Sequence, residues 1–335
     1  MRIQKLLLGA FVLSTILCQA LLGRTPLPSG STQGPTIKNG GVKMITVDGK
    51  YQIWTKKVGS GKIKVLLLHG GPGCTHEYFE CFEDFLPKEG IEFYYYDQLG
   101  SGNSDIPTDT SLWTLERFRE EVEQVRTGLG LDHFYLYGHS WGGLLAMEYA
   151  FKYQEHLKGL VISDMTASID SYTAYAAKLR AALPADVIAT LDKYEKTASY
   201  DAPEYQNAMM TVVYPQYLCR VDPWPEPLMR TFKHMNQQIY NVLQGPNEFV
   251  ITGTLSKWDV WNKLPGITAP TLVIGALHDE MNPEDIKREG SLIPHSRVLI
   301  TNGSHMGMYD DQEAYFKGLI GFLRDVEKGK KIGKH

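Results

Sequence analysis

The sequence predicts an α/β protein whose central sheet is mostly parallel, with helices on both faces and a helical cap inserted late in the chain. Two observations lead to this prediction. Short, continuously apolar runs alternate with helical patterns up to about residue 162, and the alternation resumes near residue 271. Strands buried on both faces give such runs, and their alternation with helices is typical of a parallel sheet. Between about residues 165 and 264 the strand signals vanish, and helical segments are interrupted by prolines.

The predicted elements follow in order from about Val42. Residues 44–47 and 51–54 alternate in polarity around Asp48-Gly49, a pattern that predicts a hairpin. Apolar runs predict further strands at residues 65–68, 93–96, 134–137, 160–162, 271–274 and 298–300. Helical spacing of apolar residues predicts helices at about residues 115–129 and 144–153, after Pro283, and at about residues 312–328.

These patterns also set the expected domain organisation. Residues 42–164 and 265–335 would form the core, and residues 165–264 would form the cap. Residues 21–41 are rich in Gly, Pro, Ser and Thr and are expected to be a flexible lead-in. Because reactive groups in open α/β sheets gather at the carboxyl ends of strands, a cap there would cover them and shape the pocket.

The first 20 residues have the layout of a secretory signal peptide. Arg2 and Lys5 precede an uncharged apolar run over residues 6–17, and the small Ala20 marks the expected cleavage point. The sequence therefore predicts an exported protein, periplasmic or secreted, with no stable membrane span after processing. Acylation of Cys18, as in a lipoprotein, is the less favoured alternative, because Leu17 stands where a small residue is expected.

Charge and cysteine content exclude two kinds of protein. The formal net charge is −4, and Lys and Arg form no block before the C-terminal tail, so no nucleic-acid partner is expected. Of the 4 cysteines, processing would remove Cys18 and leave an odd number, which argues against a disulfide framework. A single bridge from Cys219 to Cys74 or Cys81 stays open beside the alternative of buried free thiols.

The most informative motif follows the strand predicted at residues 134–137 and reads Gly138-His139-Ser140-Trp141-Gly142. A serine between two glycines, after a strand and before a helix, is the sequence form of a nucleophile elbow. The turn is so tight that the residues two before and two after the serine must lack a bulky side chain. Ser140 is therefore predicted to attack a carbonyl carbon, given a general base and an oxyanion hole nearby.

A base and an acid for Ser140 are expected after the last strands of the sheet, in the order serine, acid, histidine. Asp279 follows the penultimate predicted strand, and His305 follows the last one. His305 would take the Ser140 proton, and Asp279 would hold the imidazole in the required tautomer. Three neighbouring residues stay open as alternatives for these roles: His139, His278 and Glu280.

The oxyanion hole requires two backbone N–H donors, one from the residue after the nucleophile and one from a loop after an earlier strand. The first donor is expected to be Trp141. The second is assigned to Gly71, in the glycine-rich loop at residues 69–73. The sequence has no His-Glu-x-x-His, no paired Cys-x-x-Cys and no dinucleotide fingerprint, so no metal and no cofactor are expected.

With these motifs, the chain resembles the proline iminopeptidase (prolyl aminopeptidase) family of α/β-hydrolase serine peptidases. The motifs that carry the resemblance are His69-Gly70-Gly71-Pro72-Gly73, Asp97-Gln98-Leu99-Gly100-Ser101-Gly102-Asn103-Ser104, Gly138-His139-Ser140-Trp141-Gly142-Gly143, the Asp279 segment and Ser304-His305-Met306. Leu99 stands where the family often has arginine. A leucine at this position resembles the tricorn-interacting aminopeptidase subgroup. Residues 223–225 and 245–249 of the cap resemble the same subgroup. The resemblance implies an α/β-hydrolase fold.

The resemblance also implies a serine aminopeptidase that forms an acyl-enzyme and acts on short peptides or amino-acid amides with a free N-terminus. Such enzymes commonly release proline, and some relatives accept other residues. A carboxylate in a partly desolvated cap pocket would recognise the α-ammonium group, and Glu248 is the candidate. The family is expected to have a second carboxylate, for which Glu204 and Asp222 are candidates. Because a triad does not specify the acyl group, a carboxylesterase, lactonase or amidohydrolase stays open as the alternative.

Overall fold

The computed structural model describes residues 41–333. The predicted signal peptide, and the predicted lead-in apart from Gly41, lie outside the described residues. Eight strands are present in the described part of the chain. Their bounds are β1 Val42–Val47, β2 Tyr51–Val58, β3 Ile63–Leu68, β4 Ile91–Tyr96, β5 Phe134–His139, β6 Leu157–Ser163, β7 Thr271–Ala276 and β8 Ser296–Thr301.

The strands form one sheet in the order β1-β2-β4-β3-β5-β6-β7-β8. β1 pairs antiparallel with β2 across the predicted hairpin, and β2 pairs antiparallel with β4. The pairs from β4 through β3, β5, β6 and β7 to β8 are parallel. The predicted, mostly parallel sheet is therefore confirmed, and the parallel strands end at one shared edge.

Eleven α-helices lie within residues 41–333. They are α1 Leu115–Leu129, α2 Trp141–Tyr153, α3 Ile169–Ala181, α4 Ala185–Glu195, α5 Pro203–Ala208, α6 Tyr214–Tyr217, α7 Glu226–His234, α8 Gln237–Leu243, α9 Pro283–Leu292, α10 Gly307–Asp310 and α11 Gln312–Glu327. Local sequence explains their ends. The Thr114 side chain caps α1, and Gly130 ends it with a φ of 68°.

Two hydrophobic cores flank the sheet. Side chains alternate between its faces along each strand, so Leu66 and Leu68 of β3 enter one core while Val65 and Leu67 enter the other. Helices α1, α2 and α9 pack into the first core, and α11 packs into the second. Helices on both faces of the sheet are therefore confirmed.

The chain between β6 and β7 forms helices α3 to α8 and connecting turns, and it contains no strand of the sheet. Its two ends lie side by side, because Ile169 N donates to Trp258 O at 3.0 Å and Val260 N donates to Ala167 O at 2.9 Å. These bonds form a closed stem at the base of the inserted segment. The boundaries at residues 165 and 264 stay a prediction.

Two further expectations concern helices and thiols. No helix among the described residues is long and apolar enough to cross a membrane. Cys74, Cys81 and Cys219 are free thiols in the structure, so the bridge left open by the sequence is not formed there.

Candidate active site

The turn that carries Ser140 has the geometry of a nucleophile elbow. Ser140 follows β5 directly and precedes the first residue of α2, with φ 56° and ψ −128°. A Cβ on Gly138 would lie 2.0 Å from Gly142 O, and a Cβ on Gly142 would lie 2.1 Å from Leu68 O. Both positions therefore require glycine. The non-glycine residue at positive φ is strained, as expected where a turn presents a reactive side chain.

Asp279 and His305 meet at the same edge of the sheet. Asp279 lies three residues beyond β7, His305 lies four residues beyond β8, and both side chains are buried. His305 Nδ1 is 2.9 Å from Asp279 Oδ1, which also accepts the backbone N–H of Met281 at 3.1 Å. With Nδ1 bonded to the acid, Nε2 is the imidazole nitrogen left for a nucleophile.

One pocket brings the predicted reactive groups together. Ser140 and His305 line it, together with Gly71 and Trp141, and Asp279 lies behind His305. The His305 loop is attached to the cap, because the N–H groups of His305 and Met306 donate to Tyr217 O and Leu218 O at 3.0 and 2.9 Å. The structure therefore places all five predicted catalytic and oxyanion residues around a single cavity under the cap.

Electrostatics favour a protonated His305 in the substrate-free pocket. Burial by itself would lower the pKa of His305, but the charges of Glu280 and Asp279 outweigh burial and raise it to about 9. Burial would raise the pKa of Asp279, but the adjacent His305 charge and its hydrogen bond hold that pKa below the usual range. Asp279 is therefore the ionised member of the pair.

The glycine-rich loop leaves Gly71 at the pocket wall. Gly70 N donates to the Tyr78 hydroxyl at 2.7 Å, so this neighbouring N–H is already engaged. Gly71 has a φ of 106°, and a Cβ there would lie 2.7 Å from Cys74 N. Trp141 is the first residue of α2, where backbone N–H groups have no acceptor within the helix. Gly71 and Trp141 are thus the loop and helix residues available to an oxyanion.

Gln98 joins the two oxyanion segments. Its Nε2 donates to His69 O at 2.9 Å, and its Oε1 accepts the indole N–H of Trp141 at 2.9 Å. The Gln98 backbone N–H also donates to His69 Nε2 at 3.0 Å. This buried amide therefore fixes the distance between the glycine loop and the start of α2.

Two histidines that the sequence left open as bases lie elsewhere. His139 Nε2 donates to His305 O at 2.9 Å, and its Nδ1 accepts from the Tyr78 hydroxyl at 3.1 Å. Burial lowers the pKa of His139 to about 3, so it is neutral and supports the His305 backbone. His278 does not line the pocket.

Glu248 reaches the pocket from the cap and is held by two phenols. It lies between α8 and the stem of the cap, in a segment without a regular element. Tyr214 Oη donates to Glu248 Oε2 at 2.6 Å, and Tyr240 Oη donates to Oε1 at 2.8 Å. Each carboxylate oxygen is thus oriented by one hydroxyl while the carboxylate lines the pocket.

Glu280 is a second pocket carboxyl that the sequence considered only as a substitute for Asp279. Its Oε1 lies 3.3 Å from His305 Nδ1, and neither of its oxygens accepts a hydrogen bond from the described residues. Burial raises the pKa of Glu280 well above the usual range and the Asp279 charge adds to this, while the positive charge of a protonated His305 opposes the shift. The signal in the sequence that could have identified Glu280 is its position next to Asp279, because the loop that places Asp279 at the sheet edge also places Glu280 there.

The structure does not bring the two candidates for the second carboxylate to the pocket. Glu204, in the first turn of α5, and Asp222 are both exposed, and neither lines the cavity. Four aromatic residues of the cap are also outside its lining: Tyr205, Tyr214, Tyr217 and Trp224. Aromatic residues of the cap that do line it are Tyr172, Phe232 and Tyr240.

Asp279, Glu280 and His305 place ligand-type atoms within 4.8 Å of one another, a spacing that a metal ion could use. The chemistry of the donors favours a proton-transfer site. Asp279 Oδ1 and His305 Nδ1 face each other at hydrogen-bond distance, and a cation between them would displace that bond. The expectation of no metal stays a prediction.

Comparison with known proteins places this geometry in a family. Residues 64–312 match the family model described as alpha/beta hydrolase fold. A proline iminopeptidase of Flavobacterium johnsoniae is 47% identical over 287 residues, which cover 84% of this chain and 97% of that protein.

Two solved structures are similar along the same length. The crystal structure of VinJ matches with a TM-score of 0.82 at 34% identity, over 86% of this chain and 100% of that one. The proline iminopeptidase of Mycobacterium smegmatis matches with a TM-score of 0.80 at 30% identity, over 86% and 99% of the two chains. The fold implied by the sequence motifs is confirmed, and so is the family resemblance.

Proposed function

The chain belongs to the proline iminopeptidase family of α/β hydrolases, and on this premise we propose that it is a serine aminopeptidase. It would release N-terminal proline, and other small or apolar N-terminal residues, from short peptides or amino-acid amides. The observation that carries the proposal is the presence of two carboxyls, Glu248 and Glu280, in the pocket that contains Ser140 and His305.

The chemical steps follow from the positions of the core residues. Neutral His305 accepts the proton of Ser140 Oγ as that oxygen bonds to the first carbonyl carbon of the substrate. The N–H groups of Gly71 and Trp141 stabilise the oxyanion. His305 then gives the proton to the leaving nitrogen, the C–N bond breaks, and an acyl-enzyme remains on Ser140. Water, deprotonated by His305, releases the amino acid by the reverse sequence.

The cap and the Asp279 loop would recognise the free amine. An α-ammonium group carries N–H donors, and Glu280 has two buried oxygens with no donor of their own among the described residues. Glu248 offers a carboxylate already oriented by Tyr214 and Tyr240. Charge-assisted hydrogen bonds to such preoriented groups are stronger than neutral ones. A substrate with a blocked amine would leave both carboxyls without that cation.

Amine binding would also activate the base. Before substrate enters, the negative field of the pocket carboxyls stabilises protonated His305. The substrate ammonium brings a positive charge to the same carboxyls, which lowers the proton affinity of His305. A free amine would therefore promote both binding and proton transfer, and this coupling favours an aminopeptidase over an enzyme indifferent to the amine.

Apolar residues make up much of the remaining wall and favour a small, compact N-terminal residue. Met165, Leu218, Leu228, Phe232 and Leu255 line the cavity beside the carboxyls. A pyrrolidine ring has apolar methylenes next to a secondary ammonium. The methylenes would contact the apolar side chains, and the ammonium would face the carboxyls.

A kinetic comparison of free and blocked substrates tests the proposal. Purified protein is assayed with proline 4-nitroanilide, its N-acetyl derivative, and a short 4-nitrophenyl ester. We expect the free amine to be cleaved with a kcat/KM at least about 100-fold above that of the acetylated compound, from ~3 kcal/mol of charged hydrogen bonding. Equal cleavage of the two anilides would reject the aminopeptidase. Turnover of the ester alone would establish the carboxylesterase, lactonase or amidohydrolase alternative.

We also propose that the protein is exported. The basic start, the apolar run and the small Ala20 of the N-terminal sequence support this proposal. Mass spectrometry of the protein purified from its native cells tests it. A mature N-terminus shortly after Ala20 in the extracytoplasmic fraction is expected, and an intact Met1 in the cytoplasm would contradict export.

A further inference from the structure

Asp164 is a buried carboxyl for which the steps above have no use. It follows β6 directly, at the sheet edge that also carries Ser140 and Asp279, and its backbone N–H donates to Ile274 O at 2.9 Å. The residue is 1% exposed and does not line the catalytic pocket. Its φ of 51° belongs to the left-handed region, which glycine, asparagine and aspartate tolerate best.

Among the described residues, His139 is the basic group within ion-pair distance of Asp164. Its Nε2 lies 3.8 Å from Asp164 Oδ2, and its N–H is directed to His305 O instead. His139 is neutral for the reason given above, so it supplies no positive charge. Within residues 41–333, the single donor to the Asp164 side chain is Ser163 Oγ, 2.6 Å from Oδ2. An ionised Asp164 would be a buried charge without a counter-ion.

Besides the two Glu280 oxygens, two carboxylate oxygens at this edge have no hydrogen-bond donor among the described residues. They are Asp164 Oδ1 and Asp279 Oδ2, both fully buried. β6 and β7 are paired neighbours in the sheet, and the Asp279 side chain that follows β7 lies close enough to Asp164 for its charge to raise the Asp164 pKa. Two ionised carboxylates in contact repel each other, whereas a single proton between them gives each oxygen a partner.

From this geometry we propose that Asp164 is a positioning residue of the triad, a neutral carboxylic acid whose hydroxyl donates to Asp279 Oδ2. Asp279 Oδ1 then receives His305 Nδ1–H and Met281 N–H, while Oδ2 is held from behind the triad. The carboxylate plane is fixed at both oxygens, and the negative charge stays on Asp279. The proton remains on Asp164 throughout the reaction.

The surroundings of Asp164 agree with a neutral acid. Burial, followed by the charge of Asp279, raises the pKa of Asp164 well above the usual range. The remaining titratable groups that face it are one further carboxyl, which adds repulsion, and buried tyrosines whose pKa is raised as well: Asp310, Tyr78, Tyr137 and Tyr315. None of these groups supplies a positive charge.

Glu280 also neighbours Asp279, but it cannot replace Asp164 through the whole reaction. Glu280 lines the pocket, so a substrate ammonium competes with Asp279 for it. Asp164 lies outside the pocket lining and has no access to substrate. It is therefore the donor that stays in place when the substrate is bound.

Two substitutions that suit a positive φ separate the hydrogen bond from the charge. Asp164→Asn keeps a donor for Asp279 Oδ2, and Asp164→Gly removes it. Both variants are assayed with a short 4-nitrophenyl ester, so the outcome does not depend on aminopeptidase specificity, although it rests on the proposed triad. We expect Asp164→Asn to retain kcat within about threefold, and Asp164→Gly to lose about tenfold in kcat with little change in KM.

The pH dependence of ester kcat/KM supplies the second readout. A neutral Asp164 predicts the same acidic limb in wild type and Asp164→Asn, because no charge is removed near His305. If the acidic limb of the kcat/KM profile lies about one pH unit lower in Asp164→Asn than in wild type, Asp164 carries a charge and the proposal is overturned. A wild-type kcat in Asp164→Gly would also overturn it, since Asp279 Oδ2 would then need no donor.

Infrared spectroscopy decides the question if Asp164→Gly does not fold. The spectrum of wild type minus Asp164→Asn, at mildly alkaline pH, is expected to contain the C=O stretch of a protonated carboxyl group. Glu280 is unchanged in both proteins and cancels. A difference spectrum with ionised carboxylate bands alone would overturn the proposal.

Discussion

The two walls of the pocket are positioned by different kinds of structure. On the core side, Ser140, Asp279 and His305 directly follow or closely follow strands β5, β7 and β8, and sheet register sets their spacing. On the cap side, Glu248 lies in an irregular segment and depends on the hydroxyls of Tyr214 and Tyr240. The sheet thus positions the chemistry, and a side-chain network positions the recognition of substrate.

The two walls are joined beside His305. The N–H groups of His305 and Met306 bond to cap carbonyls, and Glu280 lies beside His305 while facing the cavity with Glu248. Changes in the core should therefore reduce turnover of every substrate, and changes in the cap should act on free-amine substrates. The predictions below test this division.

The largest effect is expected for Ser140→Ala, which removes the nucleophile. We expect kcat to fall by at least about 10⁴-fold for anilides and esters alike, because the loss lies in the shared chemistry. Labelling by a fluorophosphonate probe should disappear, and circular dichroism should show an unchanged fold. Residual activity that depends on the substrate amine would mean that the cap contributes to the chemistry itself.

The next effect concerns pH and joins the two walls. His305 must be neutral to accept a proton, so kcat/KM for a free-amine substrate should fall as pH drops below about 9, the pKa of His305 in the free enzyme. Bound ammonium lowers that pKa, so the acidic limb of kcat should lie at lower pH than the limb of kcat/KM. For an uncharged ester the two limbs should coincide. Separate limbs with the ester would contradict the role of the amine.

A smaller loss is expected for Gln98→Leu, a core change outside the triad. The substitution removes the link between His69 O and the Trp141 indole, so the two oxyanion donors lose their fixed spacing. We expect about a tenfold lower kcat for ester and anilide together, with KM little changed. A loss confined to free-amine substrates would place Gln98 functionally with the cap.

The smallest effect is expected for Tyr240→Phe in the cap. One hydroxyl is lost from Glu248, which should raise KM for a free-amine substrate about fivefold, equivalent to ~1 kcal/mol, and leave ester turnover unaltered. Tyr149→Phe is the matched control, because it removes a phenol that donates to the carboxylate of Glu123 at 2.7 Å, and neither residue lines the pocket. Equal KM values in the two variants would argue against a role of the phenol network.

The sequence was a good guide to the core wall and a poor one to the cap. Ser140, Asp279 and His305 could be located because each follows a strand, and strands have a clear apolar signature. Glu248 was found by way of the family resemblance. Glu204 and Asp222 were chosen as candidates in the cap although no sequence pattern showed which way their side chains face, and both are exposed to solvent.

The pocket position of Glu280 and the whole contribution of Asp164 were missed for a different reason. Glu280 and Asp164 are adjacent to strand-end motifs, but a sequence does not show which side chains at a strand end turn inward. His139 was considered as a base, and its actual contact with His305 O depends on the path of a loop 166 residues away. Proximity between strand ends can be predicted, whereas hydrogen-bond partners require coordinates.

The most direct test of this division is the ratio of kcat/KM for proline 4-nitroanilide to that for its N-acetyl derivative in Glu248→Gln. Glu204→Gln is the control, since it removes an exposed carboxylate of the same cap. We predict that Glu248→Gln lowers the ratio about 30-fold, from ~2 kcal/mol of lost charged hydrogen bonding, with the change almost entirely in the free-amine substrate. Glu204→Gln should keep the wild-type ratio. An unchanged ratio in Glu248→Gln, or an equal drop in both variants, would contradict recognition of the amine by Glu248.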